Sequence, residues 1–271
     1  MASSKWKLHQ FYNKHNEVRK YLPDTALFSL DTLKQFMDKY SEVYIKPDTR
    51  HGGNGVTYVR KTETGYSYTR IKGRAAEVTS GITALEEIYK KVIKTAIDKT
   101  YIIQQAISLA AINNRPFDIR SMLMRKPYRK WGFYGFFAKV AGPVNIITNV
   151  GRSGGSVITL EEALRRSLQL TPAAIKEKMK ELRELSFIIA NRFNKYKAST
   201  TQIGIDFAVD LSGNIWIIEV NFDLPNHSGN AFAKLPDKSN YLKIRKMKRY
   251  LAALRLKRKA AVYIVKRAGK K

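Results

Sequence analysis

Two carboxylates and an amide occupy matching positions in a segment that is typical of a β-hairpin. The segment runs over residues 204–221, and Ser212 and Gly213 at its centre are typical of a two-residue turn. With that turn, Asp206 lies directly across from Glu219, and Asn221 follows on the same face. Two like charges this close destabilise a hairpin unless a cation lies between them. The pattern therefore favours a site for Mg²⁺ or Mn²⁺, which bind carboxylate and amide oxygens.

The same register assigns the remaining residues of the hairpin to two faces. One face is apolar and is expected to join the core: Ile205, Phe207, Val209, Trp216, Ile218 and Val220. The carboxylate face also carries Ala208, Ile215 and Ile217, which indicates that it is buried against another part of the chain. The alternative is a solvated face with unrelated polar residues, and a turn of another length breaks the pairing.

A lysine precedes a loop that is rich in glycine. Lys46 ends a predicted strand, and Gly52, Gly53 and Gly55 follow it before the next strand. Glycine permits positive φ and a close approach of backbone N–H groups to phosphate oxygens, and the lysine adds a positive charge. An ordinary hairpin turn is the alternative. The loop is neither a P-loop nor a dinucleotide fingerprint, because a strand and not a helix follows it.

Hydrophobic periodicity predicts the elements that must position these residues. Helices are expected over 32–40, 83–98 and 159–169, and Thr83 and Glu86 are typical of a capping box. A longer helix is expected with Thr171 as its N-cap and Pro172 at the first helical position. Strands are expected over 43–45, 56–60, 66–71, 101–107, 119–124, 132–140, 203–209 and 214–220. This order indicates the α+β class, with two lobes joined near Ile107.

Positive charge is concentrated at the end of the chain. The 271 residues contain 50 Lys+Arg and 22 Asp+Glu, a net charge of +28, and residues 242–271 hold 13 of these bases and no acid. Met247, Leu251 and Leu254 form an apolar stripe there, which predicts a basic amphipathic helix. The helix is interpreted as a solvated helix, an arm for an anionic polymer, or a cover over a ligand cleft. Charge alone also raises nucleic acid as a partner, a weaker interpretation.

Composition excludes several classes of protein. Cysteine is absent, which excludes disulfides and thiolate chemistry. The most apolar stretch, residues 131–148, is interrupted by Lys139, Asn145, three glycines and a proline, so no membrane span is expected. The first residues lack the apolar core of a signal peptide. We therefore expect a soluble protein of the cytoplasm.

The order of these motifs resembles the ATP-grasp superfamily, and within it the YheC/YheD group of endospore coat-associated proteins. The resemblance covers about residues 5–230 and rests on five motifs taken in order: Lys46-Pro47, Gly52–Gly55, Gln104–Ile107, Asp118-Ile119-Arg120 and Asp206 with Glu219-Val220-Asn221. It implies two α+β lobes with ATP between them, and a chain that lacks most of the usual N-terminal domain. On this basis the chain divides into a linker (1–22), a first lobe (23–107), a second lobe (108–240) and a basic tail (241–271).

The resemblance also implies roles for single residues. Lys46 contacts the phosphates, with Lys5 as a second nucleotide lysine, and the loop of Gly52, Gly53 and Gly55 closes over them. The hinge residues Gln104, Gln105 and Ile107 bond the adenine edge, and Asp118 lies near the ribose. Arg120 lies near the transferred phosphoryl group, and Asn149 and Arg152 line the site. Asp206, Glu219 and Asn221 hold Mg²⁺ or Mn²⁺.

The implied activity is that of an ATP-dependent carboxylate–amine ligase that works through an acyl phosphate. Its carboxylate and amine substrates are unknown. The alternative is an inactive nucleotide-binding scaffold that docks through its basic tail on the spore coat or another anionic assembly. Lys139 stands where an arginine is common in the superfamily.

Overall fold

The computed structural model describes residues 4–50, 52–73, 75–142, 155–222 and 230–268, with the side chains of the last helix described to residue 257. The helices are α1 (Lys5–Asn13), α2 (Asn16–Arg19), α3 (Leu30–Lys39), α4 (Leu85–Lys94), α5 (Leu160–Leu168), α6 (Pro172–Tyr196) and α7 (Ser239–Ala268). The strands are β1 (Thr25–Leu27), β2 (Glu42–Pro47), β3 (Thr57–Thr62), β4 (Gly65–Lys72), β5 (Ala75–Ile82), β6 (Tyr101–Gln105), β7 (Ala111–Ile112), β8 (Arg115–Met124), β9 (Gly132–Val140), β10 (Ser156–Ile158), β11 (Gln202–Val209) and β12 (Ile215–Phe222).

The first lobe is one antiparallel sheet covered on one face by α3 and α4. Its strands lie in the order β1-β6-β2-β3-β4-β5. Alternate residues of β2, Val43 and Ile45, are fully buried against Leu33 of α3 and Ile88 of α4 in a single apolar cluster. Because side chains alternate along a strand, Tyr44 and Lys46 lie on the opposite face of this sheet.

The second lobe is built on a sheet with the strand order β10-β9-β8-β11-β12, and β7 pairs with β8 outside this row. One face packs against α5 and α6, so that Ile119 and Phe207 of the sheet share a core with Leu182 and Ile189 of α6. Pro172 is the first residue of α6, and Thr171 caps it by accepting a hydrogen bond from Ala174 N, as the sequence predicts.

The other face of this sheet carries a third apolar cluster at one end. Met122 and Phe137 of the sheet pack there with Phe232, and with Ile244 and Leu251 of α7. Ile244 is fully buried and Leu251 is 7% exposed, so the first half of α7 is part of the second lobe. The interpretation of the tail as a solvated helix is wrong for this half, because its apolar residues pack against the sheet.

Most predicted elements are present, with shifted ends. One correction concerns α4, which begins at Leu85 after Ala84 and has no side-chain cap, so the predicted capping box of Thr83 and Glu86 does not form. The structure also contains elements that the periodicity did not predict: α1, α2, β1, β5, β7 and β10. They are short or exposed, and such elements carry little hydrophobic pattern.

The segment before residue 23 forms α1 and α2, whose Leu8, Tyr12 and Val18 are buried in the core of the second lobe. The division of the chain at residues 22, 107 and 240 stays a prediction. Among the described residues, no helix combines the length and the apolar composition that crossing a membrane requires.

Candidate functional site

The hairpin of β11 and β12 pairs the two carboxylates as the sequence predicts, but by another route. Asp206 and Glu219 are direct partners, and so are Gly204 and Asn221. The turn is longer than two residues: Val209 pairs with Ile215, and residues 210–214 form the loop. A β-bulge then shifts the register between Asp206 and Phe207 by one residue. The longer loop and the bulge cancel, and the predicted pair is restored.

The bulge also corrects the predicted faces of β12. Phe207 pairs with Ile217, and Ile217 and Ile215 are buried in the core of the second lobe. Trp216 and Ile218, which were expected in that core, are only half-buried. The loop itself is held by Asp210, whose carboxylate accepts hydrogen bonds from Ser212 N (2.9 Å), Asn214 N (2.9 Å) and Trp216 Nε1 (2.9 Å). This loop chemistry decides the turn length.

Asp206 lies at the centre of a buried charge network on the face of the second sheet that is opposite α6. Arg120 on β8 is its direct partner and forms a bidentate ion pair, with Nε–Oδ1 at 2.7 Å and Nη2–Oδ2 at 2.8 Å. Lys139 on β9 donates to Asp206 Oδ1 at 3.0 Å and lies 2.8 Å from Asp118 Oδ1. Three adjacent strands, β9, β8 and β11, therefore bring two acids and two bases together in one row.

The charges in this row set the protonation of its members. Burial alone raises the pKa of Asp206, but Arg120 and Lys139 outweigh it and hold that pKa below its ordinary value. Burial lowers the pKa of Lys139, whereas Asp118 and Asp206 raise it, and the result is a pKa above the ordinary value. Asp206 and Lys139 are therefore both charged near neutral pH.

Asn221 completes the candidate metal site. Its Nδ2 lies 3.0 Å from Asp206 Oδ2 and 3.4 Å from Glu219 Oε2, so the three side chains converge. Rotating the amide by half a turn presents its oxygen to the same point. Two carboxylates and an amide fit Mg²⁺, which usually takes its other ligands from phosphates and water. Among the described residues no three His, Asp or Glu side chains form a metal cluster, so such a site depends on these outside ligands.

The first lobe contributes Lys46 to the same region. Its Nζ donates to Gln104 Oε1 at 2.5 Å and lies 5.3 Å from the centre of the Tyr44 ring. Burial lowers the pKa of Lys46 to about 8; the charge of Glu219 opposes this shift and that of Lys5 adds to it. The lysine of the first lobe is thus electrostatically coupled to a carboxylate of the second.

Lys5 is the second lysine of this region. Its Nζ lies 3.5 Å from Glu219 Oε1 and donates to the backbone oxygen of Arg50, two residues before Gly52. The predicted set Lys5, Lys46 and Glu219 is therefore brought together from α1, β2 and β12.

The glycine loop has the backbone that glycine permits. Gly52, Gly53 and Gly55 have φ values of +76°, +79° and +78°. At Gly55, a Cβ atom would lie 2.8 Å from Ile97 Cδ1, and the Gly55 N–H donates to Ile71 O at 2.9 Å. Close packing at the base of the loop thus requires glycine at this position. Contact of the loop with phosphates stays a prediction.

The hinge residues lie where the chain passes between the lobes. Gln104 is 7% exposed and its Nε2 donates to Thr25 Oγ1 at 2.9 Å. Gln105 N donates to Asp24 O at 2.9 Å, and Asp24 N donates back to Gln105 Oε1 at 3.3 Å. Ile107 follows β6 and is half-buried. The two crossing segments are therefore paired at residues 24 and 105.

Two predicted site residues are not among those described, and two residues that were not predicted make contacts at the site. Asn149 and Arg152 lie outside the described residues. Lys139 and Asp48 were not predicted as site residues, yet Lys139 bridges Asp118 and Asp206, and Asp48 holds the first turn of α1. The register of β8 and β9, which makes Asp118 and Lys139 direct partners, is the signal that identifies Lys139.

The chain is similar to a protein family, to a curated protein and to a solved structure. The family model described as "YheC/D like ATP-grasp" matches residues 2–254. The endospore coat-associated protein YheD of Bacillus subtilis (strain 168) is 24% identical over 220 residues, which are 80% of this chain and 47% of that protein. The chain thus spans about half the length of this curated relative. The crystal structure of N5-carboxyaminoimidazole ribonucleotide synthetase from Thermotoga maritima aligns with a TM-score of 0.48 and 13% identity, over 89% of this chain and 46% of that one.

Proposed function

The chain belongs to the YheC/D-like ATP-grasp family, and on this premise we propose that it binds ATP with Mg²⁺ and acts as an ATP-dependent carboxylate–amine ligase. The fold is the α+β ATP-grasp fold, and ATP-grasp proteins in general bind ATP and Mg²⁺. The carboxylate and the amine that the ligase joins are left open by the site.

One observation carries the proposal: Asp206, Glu219 and Asn221 converge while cationic side chains surround them. Asp206 accepts from Arg120, Glu219 lies 3.5 Å from Lys5, and Lys46 is close enough for Glu219 to influence its pKa. A triphosphate with its metal needs both signs of charge, carboxylates for the ion and cations for the phosphate oxygens. A purely structural ion pair needs no amide and no second lysine beside it.

The proposed roles combine the family resemblance with the contacts described above. Lys46 and Lys5 hold the phosphates, with the loop of Gly52, Gly53 and Gly55 above them, and Arg120 stabilises charge on the transferred phosphoryl group. The hinge residues Gln104, Gln105 and Ile107 bind the adenine edge, and Asp118 orients the ribose side. We assign Asn149 and Arg152 to the lining of the same site, on the family resemblance alone.

The proposed reaction has two steps. A substrate carboxylate oxygen attacks the γ-phosphorus of ATP, and the bond from that phosphorus to the β,γ-bridging oxygen breaks. ADP departs, and the substrate carries the phosphoryl group as an acyl phosphate. An amine then attacks the acyl carbon, inorganic phosphate leaves, and the nitrogen loses a proton to phosphate or water as the amide forms. Mg²⁺ supplies charge neutralisation for the phosphates when bound. The side chains of the chain position the reactants and stabilise negative charge, so no side-chain nucleophile is needed.

The test is calorimetric titration with Mg-ATP, followed by phosphate release in the presence of a panel of carboxylates and amines. We expect Asp206→Asn and Glu219→Gln to weaken Mg-dependent nucleotide binding, whereas the exposed control Glu161→Gln on α5 leaves it unchanged. Nucleotide binding without turnover for any acceptor pair would favour an inactive scaffold. Unchanged binding in both site variants would refute the metal assignment.

A specific surface favours a second candidate function, docking on an anionic polymer such as a component of the spore coat. A groove of about 240 Å³ lies between the β8–β9 turn and α7, and Ser199, Thr201, Tyr128, Pro127, Leu251, Leu254 and Arg255 line it. Exposed bases lie close to its lining residues along the chain, among them Lys126, Arg129 and Lys257. Lys126 Nζ lies 5.0 Å from the Tyr250 ring and connects the turn to the helix.

Charge substitutions test this docking better than removal of the tail, because deleting residues 242–271 would expose the apolar cluster around Ile244. We expect Arg129→Gln/Arg255→Gln/Lys257→Gln to weaken binding to inorganic polyphosphate and to reduce the slope of log K against log salt by about 2. The matched control is Lys90→Gln/Lys94→Gln/Lys99→Gln on the first lobe, which also removes three exposed bases. Equal loss in both triple variants would mean that only net charge matters.

A further inference from the structure

The helix α1 is anchored in the core of the second lobe. Leu8 is 6% exposed and Tyr12 is 2% exposed, and both pack in the cluster that includes α6. Tyr12 Oη also donates to Ile189 O of α6 at 3.4 Å. The body of α1 therefore moves with the second lobe.

The first turn of the same helix is bound to the first lobe through Asp48. Asp48 directly follows β2 and is 6% exposed. Its Oδ1 accepts from Trp6 N at 2.8 Å, and its backbone oxygen accepts from Lys5 N at 3.1 Å. Its own N–H donates to Thr100 O at 2.9 Å, which fixes Asp48 within the first lobe. A carboxylate at a helix N-terminus is favoured by the unpaired N–H groups there.

This contact is separate from the two segments where the chain crosses from one lobe to the other. Those crossing segments are paired at Asp24 and Gln105. The Asp48 contact instead joins the lobes beside Lys46 and the base of the glycine loop. It ends at Lys5, whose Nζ reaches both Arg50 O and the neighbourhood of Glu219. If the lobes rotated about the paired crossing segments, the distance between Asp48 and α1 would change.

We propose that Asp48 is a positioning residue: it ties α1 to the first lobe and thereby holds Lys5 between the glycine loop and Glu219. The proposal rests on the proposed function in so far as the site that Lys5 serves is a nucleotide site. Without the carboxylate, α1 stays attached to the second lobe through Leu8 and Tyr12, but it loses the Trp6 N–Asp48 Oδ1 bond to the first lobe. The backbone bond from Lys5 N to Asp48 O and the bond from Lys5 Nζ to Arg50 O remain, so Lys5 stays near the first lobe but is held less firmly at the distance that phosphate binding requires.

The first experiment compares Mg-ATP affinity in three variants by calorimetry. Asp48→Ala should raise Kd at least tenfold, whereas Asp48→Asn should keep Kd within about threefold, because its amide oxygen still accepts from Trp6 N. The matched control is Ser4→Ala, which removes the Ser4 Oγ that accepts from Lys7 N at 3.1 Å at the same helix end and leaves the Asp48 carboxylate in place. Ser4→Ala should lower Tm without changing Kd. Equal Kd for Asp48→Ala and wild type, or equal loss in Ser4→Ala, would overturn the proposal.

A second measurement needs no nucleotide. The chain has no cysteine, so Lys90→Cys on α4 and Ala174→Cys on α6 place one spin label on each lobe. Adding Asp48→Ala should broaden the distance distribution between the labels, whereas adding Ser4→Ala should not. Broadening in a protein that fails to bind Mg-ATP would support the tie while the proposed function fails. An unchanged distribution would refute the tie whatever the nucleotide result.

Discussion

Replacing Asp206 should destabilise the protein far more than replacing Glu219, although both are assigned to the same metal site. The Asp206 side chain is 8% exposed and makes ion pairs at 2.7 Å with Arg120 and 3.0 Å with Lys139. Asp206→Asn removes the charge that pairs with buried Arg120 and leaves Lys139 with Asp118, which costs about 3–5 kcal/mol. The Glu219 side chain is 29% exposed and lies 3.5 Å from Lys5, so Glu219→Gln costs about 0–1 kcal/mol.

The assay is urea unfolding without nucleotide, followed by thermal unfolding of the same variants. At about 2–4 °C per kcal/mol, Asp206→Asn should lower Tm by about 6–20 °C, and Glu219→Gln by less than about 4 °C. Adding Arg120→Met to Asp206→Asn should recover part of the loss, because it removes the buried cation whose bidentate ion pair with Asp206 was lost. Equal stability of Asp206→Asn and Glu219→Gln would refute the argument that burial makes Asp206 structural as well as functional.

The same carboxylate predicts a pH dependence. Its folded-state pKa is lower than its ordinary value, so its contribution to stability is present above about pH 4 and is lost as the pH falls through the folded-state pKa. The stability difference between wild type and Asp206→Asn should therefore shrink in acid. A difference that stays constant down to pH 2 would mean that charge is not its cause.

Three further predictions concern Lys46, Gly55 and Arg125. Burial lowers the pKa of Lys46 to about 8, while the charge of Glu219 raises it and that of Lys5 lowers it, so Lys46 loses its proton as the pH rises through that value. Mg-ATP affinity measured by calorimetry should therefore fall above about pH 8. Lys46→Arg should remove this pH dependence. Gly55→Ala should lower the free energy of unfolding by about 1–3 kcal/mol, because φ is +78° and the added Cβ meets Ile97, whereas Gly213→Ala, at φ +82° with open space, should cost less. Arg125→Met should cost about 2–4 kcal/mol in urea unfolding, because its guanidinium donates to Thr200 O at 2.8 Å and Ala198 O at 2.7 Å in a buried site; unchanged stability would contradict this.

Local pattern was enough for much of the fold and for part of the site. The helix α6 was predicted with its cap and first residue, because Thr171, Pro172 and the apolar period are properties of consecutive residues. The glycines of the loop have the positive φ that their type permits. The pairing of Asp206 with Glu219 was also predicted, although the loop held by Asp210 and the compensating bulge were not.

The remaining contacts depend on positions far apart in the chain. Lys139 of β9 contacts Asp118 of β8 and Asp206 of β11 because the three strands lie in the order β9-β8-β11. Asp48 contacts Trp6 because α1 packs on the other lobe. Neither contact leaves a periodic signal, since a single polar residue looks the same in sequence whether it is solvated or buried beside a charge. The sequence by itself determined the family and most of the helices and strands, and it predicted which residues bind a metal and phosphates. Only the tertiary structure decided which charges neutralise one another, because Coulomb interactions depend on distance and burial and not on order along the chain.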